Sequence, residues 1–181
     1  MPLDFEIDKL SHSIEDAVTG KSFLTTVLPF DKIDLQRVSK KEGWKFSWKT
    51  EFSNPQKRIF KLVIEHQADV IHGLVSLNVK TGYIEIHLVE NAPFNIGKNK
   101  MYQGVAGNLV AYACKLSFEH GFDGNVLFFA KTKLIAHYEQ SLGAVHVGGQ
   151  RMIIYTREAA ILVNKYFPEF HIKNNGYGIN L

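Results

Sequence analysis

Three β-rich runs follow one another without an intervening helix, and this feature most constrains the fold. The runs are RIFKLVIEH (58–66), DVIHGLVSLNVK (69–80) and YIEIHLVEN (83–91). The connections between them are only a few residues long, whereas a parallel pair of strands needs a crossover of a dozen or more residues. The sequence therefore predicts a three-stranded antiparallel meander near the centre of the chain.

Strand and helix patterns on either side of the meander indicate a mixed α/β chain. Before it, residues 23–30 alternate as a strand does, and residues 31–43 are predicted to form a helix capped by Asp31. After it come a mostly apolar helix (105–120), a strand (125–131), a helix (132–143), one or two strands (145–156) and a helix (157–167). This order predicts an α+β fold with a mixed, mostly antiparallel central sheet and helices on both faces.

Length and composition indicate one globular domain. The 181 residues are 45% hydrophobic and 22% charged, and no apolar run reaches the roughly 20 residues of a membrane-spanning helix. A single cysteine, Cys114, excludes an intrachain disulfide and fits a reducing compartment. We expect one domain over residues 1–181, with an N-terminal extension (1–22) and a loose tail (about 169–181), in a cytoplasmic protein without a membrane partner.

The positive charge of the chain is small and dispersed. A net charge of +3 does not form the dense basic stripe of a dedicated nucleic-acid-binding protein, so we expect no nucleic-acid partner. Only the run SKKEGWKFSWK (39–49) combines lysines with aromatic residues, Trp44 and Trp48, and it alone leaves an RNA-directed function open. The simpler interpretation of this run is a solvated loop or helix end.

Several common motifs for catalytic and binding sites are absent from the sequence. It contains no GxxxxGK[ST] phosphate loop, no GxGxxG after the first strand, and no GxSxG, HExxH or CxxC. The eight histidines are scattered over predicted strands and helices, so we expect structural or surface roles for them and no metal. Cys114 lies among apolar residues in mid-helix and is expected in the core.

The start of the long predicted helix is the remaining candidate site. In KMYQGVAGNLVAYACKLSFEHG (100–121), Gly104, Ala106 and Gly107 have little or no side chain, and Lys98 and Lys100 lie just upstream. The first amides of a helix lack internal partners, and the helix dipole adds positive potential, so an anion that approaches closely is stabilised there. The alternative is tight packing of the helix end against the sheet, and this segment alone leaves both open.

The segment GVAGNL, the helix that follows, HG, a strand and HYEQSLGA together resemble the GNAT family of acetyl-coenzyme-A-dependent N-acetyltransferases. That family has a Q/R-x-x-G-x-G/A signature at the start of its central helix, where backbone amides hold the coenzyme pyrophosphate. Gly104 and Ala106 match the two small positions, whereas Met101 occupies the first, where Lys100 or Gln103 is a candidate replacement. The resemblance covers most of the chain and extends to a bacterial subgroup without a defined substrate.

The resemblance implies the residues that bind coenzyme and carry out the chemistry. Tyr138, in a stretch similar to the family's aromatic hydroxyl position, would protonate the departing thiolate. A backbone amide near Val89 or Glu90 would donate to the acetyl carbonyl as negative charge develops on it. The residues implied to bind acetyl-coenzyme A are Val89, Gly104, Val105, Ala106, Gly107, Asn108 and Lys131.

A general base is also required, because an amine must lose a proton before it attacks the thioester. Glu85 and His87 share one face of their predicted strand, and Glu90 lies on the other. Glu90 is our first choice, because it lies at the carboxyl end of the strand, where the family's strand diverges to admit the pantetheine arm. The acceptor would be an amine of a small molecule or a protein.

Two functions follow from the resemblance. One is an N-acetyltransferase for an amine of unknown identity, and the other is a non-catalytic protein of the same fold that binds a ligand or a protein partner. The departure at Met101 and the absence of a clear base favour the second. The N-terminal residues 1–22 would cover the acceptor cleft or form a homodimer contact, and the sequence does not decide between these roles.

Overall fold

The computed structural model describes residues 1–173, which form ten strands, four α-helices and several short 3-10 turns. The strands are β1 (Ile14–Asp16), β2 (Ser22–Phe23), β3 (Thr25–Pro29), β4 (Arg58–Ile64), β5 (Gly73–Lys80), β6 (Tyr83–Asn91), β7 (Tyr102–Gln103), β8 (Val126–Phe129), β9 (Val145–His146) and β10 (Arg151–Ile154). The helices are α1 (Trp48–Ser53), α2 (Val105–Glu119), α3 (Ile135–Leu142) and α4 (Thr156–Tyr166). From residue 174 onward, the predicted loose tail lies outside the described residues.

Seven of the strands form one sheet in the order β3-β4-β5-β6-β8-β10-β9. All neighbours in it are antiparallel except β6 and β8, which are parallel. The predicted meander is β4, β5 and β6, and its register places Val75 opposite both Phe60 and Val89. A smaller sheet has the order β2-β1-β7. The predicted fold class, with its mixed and mostly antiparallel sheet, is confirmed.

The large sheet has a hydrophobic core on each face. Consecutive residues of a strand point to opposite faces, and Leu74 and Val75 belong to different clusters of buried side chains, as do Leu88 and Val89. On one face, α2 packs on β5 and β6 and against α4. On the other face, the segment between β3 and β4, which includes α1, supplies the apolar cover. No helix among residues 1–173 is long and apolar enough to cross a membrane.

The predicted helix over 31–43 is wrong. The chain forms two 3-10 turns there, Ile33–Gln36 and Lys40–Glu42, and Ser39 between them is extended. Asp34 is 1% exposed, and its carboxylate accepts from Lys61 Nζ at 2.7 and 2.8 Å and from the Asp31 N–H at 2.9 Å. A side chain that binds nearby backbone in this way competes with regular helical hydrogen bonds.

A helix that the sequence analysis did not predict, α1, begins within the run 39–49. Ser47 precedes it, and its hydroxyl accepts from the Thr50 N–H at 3.4 Å. Trp44 and Trp48 are only 5% and 1% exposed, whereas the lysines of the run are exposed. The interpretation as a solvated segment therefore fails for the tryptophans, whose rings offer no open face on which a nucleic-acid base would stack.

Candidate active site

The parallel strands β6 and β8 separate at their carboxyl ends. They are in register only over Ile84–Ile86 of β6 and Val126–Phe128 of β8. Beyond Ile86, no other strand in the described part of the chain pairs with this edge of β6. The last residues of β6 therefore border an opening in the sheet.

A β-bulge lies where the separation begins. Ile86 is opposite Leu77 and Leu88 is opposite Ser76, so His87 has no partner residue on β5. A bulge bends its strand and increases the local twist. The bend accounts for the divergence of β6 from a strand with which it pairs only a few residues earlier.

Helix α2 begins beside this opening. Gly104 is its N-cap, with φ of +92°, a left-handed conformation that suits glycine. The next four residues, 105–108, are all buried. The Asn108 side chain donates to Thr25 Oγ1 at 2.9 Å and so ties the first turn of α2 to the sheet. The structure thus places the five predicted residues at the helix entrance together.

The opening is lined by the start of the chain, residues 3–13, which we call the N-terminal strap. Leu3 forms a parallel bridge with Ala130, just after β8. Its N–H donates to the Phe129 carbonyl at 2.6 Å, and its carbonyl accepts from the Lys131 N–H at 3.1 Å. The strap therefore lies along the edge that β8 presents to the opening.

At the entrance of α2, the strap places a carboxylate on the helix amide. Asp8 Oδ1 accepts from the Gly104 N–H at 3.1 Å, and Lys100 Nζ donates to Asp8 Oδ2 at 2.9 Å. The ammonium and the helix N-terminus both stabilise negative charge at this point. The anion at the helix entrance in this structure is thus a side chain of the protein itself.

Contact with the strap also explains why residues 104 and 107 are glycines. A Cβ on Gly104 would lie 2.9 Å from the Ser13 carbonyl oxygen. A Cβ on Gly107 would lie 2.6 Å from Tyr166 Oη and 2.9 Å from Leu10 Cδ2. Tight packing is therefore present at the helix entrance, but the helix packs here against the strap and Tyr166 of α4 and not against the sheet, as the sequence alternative had it.

Tyr138 lies in α3 with none of its surface exposed. Its ring packs edge-on against those of Phe128 and Phe5, with centroids 5.2 and 5.8 Å away. Its hydroxyl donates to the Phe5 carbonyl at 2.5 Å. Burial raises the pKa of Tyr138 well above its usual value. In this conformation the predicted acid therefore binds the strap.

Glu90 is 5% exposed, and its carboxylate is already bound by three N–H groups. The Lys45 and Phe46 amides donate to it at 2.6 and 3.4 Å, and the Trp48 indole donates at 2.7 Å. These bonds hold the segment before α1 against the end of β6. The predicted base therefore has a clear structural role in this conformation.

A cavity of about 500 Å³ lies between the strap and the end of β6. Residues 89–91 of β6 line it, as do three strap carboxylates, Asp4, Glu6 and Asp8. Lys45, Lys98 and Lys100 line it as well. Its volume is in the range of small-molecule sites, and it contains both Val89 and Glu90, which the sequence analysis selected.

The other candidates lie away from this cavity. His87 Nδ1 is 3.0 Å from Glu51 Oε2 of α1, and Glu85 Oε2 is 3.8 Å from Lys80 Nζ. Cys114 is fully buried, as predicted, and burial raises its thiol pKa far above the usual value. Among residues 1–173, no group of three or more His, Cys, Asp or Glu side chains is arranged to hold a metal ion.

The strap was not predicted from the sequence as part of this site. Lys131, which pairs with Asp4, was predicted, but the role of residues 1–22 stayed open. A signal was present, since residues 3–8 read LDFEID and alternate apolar with acidic side chains. Such a period of two indicates an extended segment with one buried face, and Leu3 and Ile7 are indeed buried.

Comparison with known proteins identifies the fold. No protein-family model matches the sequence, and no curated protein matches it either. Solved structures do match. A spermidine/spermine N-acetyltransferase, SpeG from Vibrio cholerae, superposes with a TM-score of 0.55 at 16% identity, over 76% of this chain and 96% of that one.

Two further structures agree with this match. The ribosomal-protein-S18-alanine N-acetyltransferase from Escherichia coli has a TM-score of 0.52 at 16% identity, over 72% of this chain and 90% of that one. The toxin AtaT, bound to the C-terminus of the antitoxin AtaR and acetyl-CoA, has a TM-score of 0.54 at 15% identity, over 76% and 97% of the two chains. The chain therefore has the fold of the GNAT acetyltransferases.

Proposed function

We propose that the protein is an acetyl-CoA-dependent N-acetyltransferase that moves an acetyl group to an amine. The observation that carries this proposal is the opening between β6 and β8, directly beside the start of α2. The likeness to N-acetyltransferases, one of them solved with acetyl-CoA, supports it. The coenzyme pyrophosphate would bind the amides of residues 104–108, and the pantetheine arm would enter the opening along Val89.

Glu90 and Tyr138 would carry the proton transfers. The amine attacks the thioester carbonyl, and Glu90 would take the amine proton directly or through a water molecule. Because three N–H groups already bind its oxygens, Glu90 has to use a lone pair that they leave free. Tyr138 would return a proton to the coenzyme sulfur, which requires its hydroxyl to leave the Phe5 carbonyl.

The names of the matched structures suggest which acceptors to test first. One acts on spermidine and spermine and another on the alanine of a ribosomal protein, so a polyamine and an alanine-terminated peptide represent two classes of amine. We expect acetyl-CoA to raise the melting temperature of the protein. We also expect amine-dependent release of coenzyme A thiol, which a thiol reagent detects without background from the fully buried Cys114.

Failure of acetyl-CoA at millimolar concentration to raise the melting temperature, both in the wild type and in an Asp4→Asn/Asp8→Asn variant whose helix entrance lacks the Asp8 carboxylate, would contradict the proposal. Substitution of Gly104 is a poor control, because a side chain there meets the Ser13 carbonyl and destabilises the fold whatever the ligand. Tyr138→Phe is the sharper variant, since it removes one oxygen atom and leaves the ring in place. We expect it to lower the rate of thiol release.

A second candidate is a non-catalytic protein that binds a ligand or a protein partner through this fold. The observation that favours it is the engagement of both functional elements by the strap, Gly104 by Asp8 and Tyr138 by Phe5. Coenzyme binding without product on a broad panel of amines, and without any effect of Tyr138→Phe, would select this second function.

A further inference from the structure

We propose that the N-terminal strap competes with the coenzyme within the same molecule. The strap must leave the opening between β6 and β8 before acetyl-CoA binds. The inference rests on the proposed function and adds a mode of regulation to it. The strap extends from Ala130, at the edge of the opening, to Gly104, at the entrance of α2. It thereby occupies the same two places that the pantetheine arm and the pyrophosphate would take.

The strap resembles an anionic ligand in its charge. Asp4 forms ion pairs with Lys131 and with Lys133, the latter at 3.3 Å, and Asp8 pairs with Lys100 at 2.9 Å. Acetyl-CoA is likewise an extended molecule with several negative charges. The same lysines cannot neutralise both at once, so binding of one is expected to weaken binding of the other.

Backbone and ring contacts make the competition steric as well as electrostatic. The Ile7 N–H donates to His137 Nε2 at 2.8 Å, and the Ser11 N–H donates to Tyr166 Oη at 3.0 Å. Leu10 packs on Gly107 near the Ser11–Tyr166 contact. Phe5 packs against Tyr138 near the Ile7–His137 contact. A coenzyme could reach neither Gly107 nor the Tyr138 hydroxyl while the strap is in place.

We expect the strap to be displaceable, because most of the contacts that hold it are polar. Among its apolar residues, only Leu3 and Ile7 are buried, and the Asp4 and Lys131 side chains remain 40% and 47% exposed. Exposed ion pairs of this kind contribute little stability, because water and salt screen them. Opening of the strap is therefore a local event that leaves the sheet and α2 intact, and ligand binding shifts its equilibrium.

Thiol labelling measures displacement of the strap directly. Ile7 is only 7% exposed, so Ile7→Cys places a thiol that is protected from alkylation while the strap is bound. The natural Cys114 is fully buried and contributes no background. We expect acetyl-CoA to accelerate alkylation of Ile7→Cys by about tenfold. The matched control is Val18→Cys, at a residue 92% exposed, and its labelling rate should not change with acetyl-CoA.

Coenzyme affinity provides a second, independent measurement. The double variant Asp4→Asn/Asp8→Asn removes the ion pairs of the strap carboxylates with Lys100, Lys131 and Lys133, and we expect the Kd for acetyl-CoA to fall about tenfold because the open fraction rises. The double variant Glu119→Gln/Asp123→Asn makes the same change of net charge near the other end of α2 and should leave the Kd unchanged.

The outcomes separate this inference from the proposed function. If acetyl-CoA binds the protein but the labelling rate of Ile7→Cys does not change, the strap is not a competitor, while the proposed function stands. If acetyl-CoA binds only the Asp4→Asn/Asp8→Asn variant, and accelerates labelling of Ile7→Cys in that background, the competition is confirmed in its strongest form. If acetyl-CoA stabilises neither the wild type nor this variant, the proposed function is wrong and the inference is wrong with it.

Discussion

Tyr138 and Tyr166 hold the same segment of chain at two points through their hydroxyl groups. Tyr138 donates to the Phe5 carbonyl, and Tyr166 accepts from the Ser11 N–H. Burial raises the pKa of both phenols, so both stay protonated at neutral pH. The two residues thus have the same structural role, while only Tyr138 has been assigned a chemical one.

Removal of these hydroxyls should separate structure from chemistry. Tyr138→Phe and Tyr166→Phe each lose one buried hydrogen bond, so each should lower the free energy of unfolding by about 1 kcal/mol. Only Tyr138→Phe should also lower kcat, by about 10²-fold or more, because only it loses a general acid. Urea unfolding and steady-state kinetics measure the two effects. Equal losses of kcat in both variants would show that Tyr138 has no role in proton transfer.

Glu90→Gln should destabilise the protein. An amide nitrogen cannot accept a hydrogen bond, so one of the three N–H donors from residues 45, 46 and 48 is left unpaired in the interior. The expected loss in the free energy of unfolding is about 1–3 kcal/mol. Glu85→Gln, which loses only a 3.8 Å contact with Lys80, should change it by less than about 0.5 kcal/mol.

The same variant tests the proposed base. If Glu90→Gln folds and binds acetyl-CoA yet forms no product, the carboxylate has a chemical role beyond its structural one. Full activity in the folded variant would assign the proton transfer to another group.

Substitution of only one partner of the Asp34–Lys61 ion pair should strongly lower the free energy of unfolding. The two side chains are 1% and 9% exposed, so Asp34→Asn leaves an ammonium without a counter-charge in the interior. We expect the free energy of unfolding to fall by about 3–5 kcal/mol. The double variant Asp34→Leu/Lys61→Met should recover most of this loss. Asp69→Asn breaks an exposed pair with Arg37 and should cost less than about 1 kcal/mol.

His72 should make the protein less stable in acid. Burial lowers its pKa from 6.5 to about 4, so between these values the unfolded chain binds a proton that the folded one does not. The contribution of His72 to the free energy of unfolding is therefore complete above a pH of about 6.5. It is lost as the pH falls toward about 4, by about 3 kcal/mol in total. Urea unfolding at a series of pH values measures the slope.

Two variants isolate the contribution of His72 to the slope of the free energy of unfolding against pH. His72 packs against the rings of Phe94 and Tyr102, and its Nε2 has no hydrogen-bond partner among residues 1–173, so His72→Phe keeps these ring contacts and should flatten the slope. His66 is exposed, and His66→Asn should keep the slope of the wild type. An unchanged slope in His72→Phe would show that the acid sensitivity comes from other groups.

Local patterns in the sequence were sufficient for the meander and for the long helix. The alternation in residues 58–91 and the short connections determine β4 to β6, and the helix predicted over 105–120 is α2, Val105–Glu119. The helix predicted over 31–43 failed because Asp34 is held by Lys61, a residue in a strand that the local pattern cannot relate to it.

Candidate site residues could be proposed from the sequence only where local chemistry or the family resemblance indicates them. Small residues at a helix start were enough to suggest an anion site near Gly104, and the position of Glu90 at a strand end, together with the resemblance to the GNAT family, made it the candidate base. The contact of Asp8 with Gly104 joins positions 96 residues apart, and no local periodicity indicates such a partner. The bonds from residues 45, 46 and 48 to Glu90 likewise depend on how the segment before α1 folds back onto the sheet.

The hydrogen bond between the Trp48 indole and Glu90 gives the protein an internal optical reporter. The sequence contains only two tryptophans, Trp44 and Trp48, and both are buried in the cluster beside the end of β6. Trp48 binds a carboxylate that lines the cavity, so its emission depends on the charge and hydration of that carboxylate. Tryptophan fluorescence therefore reports on a residue that lines the candidate site, without any added label.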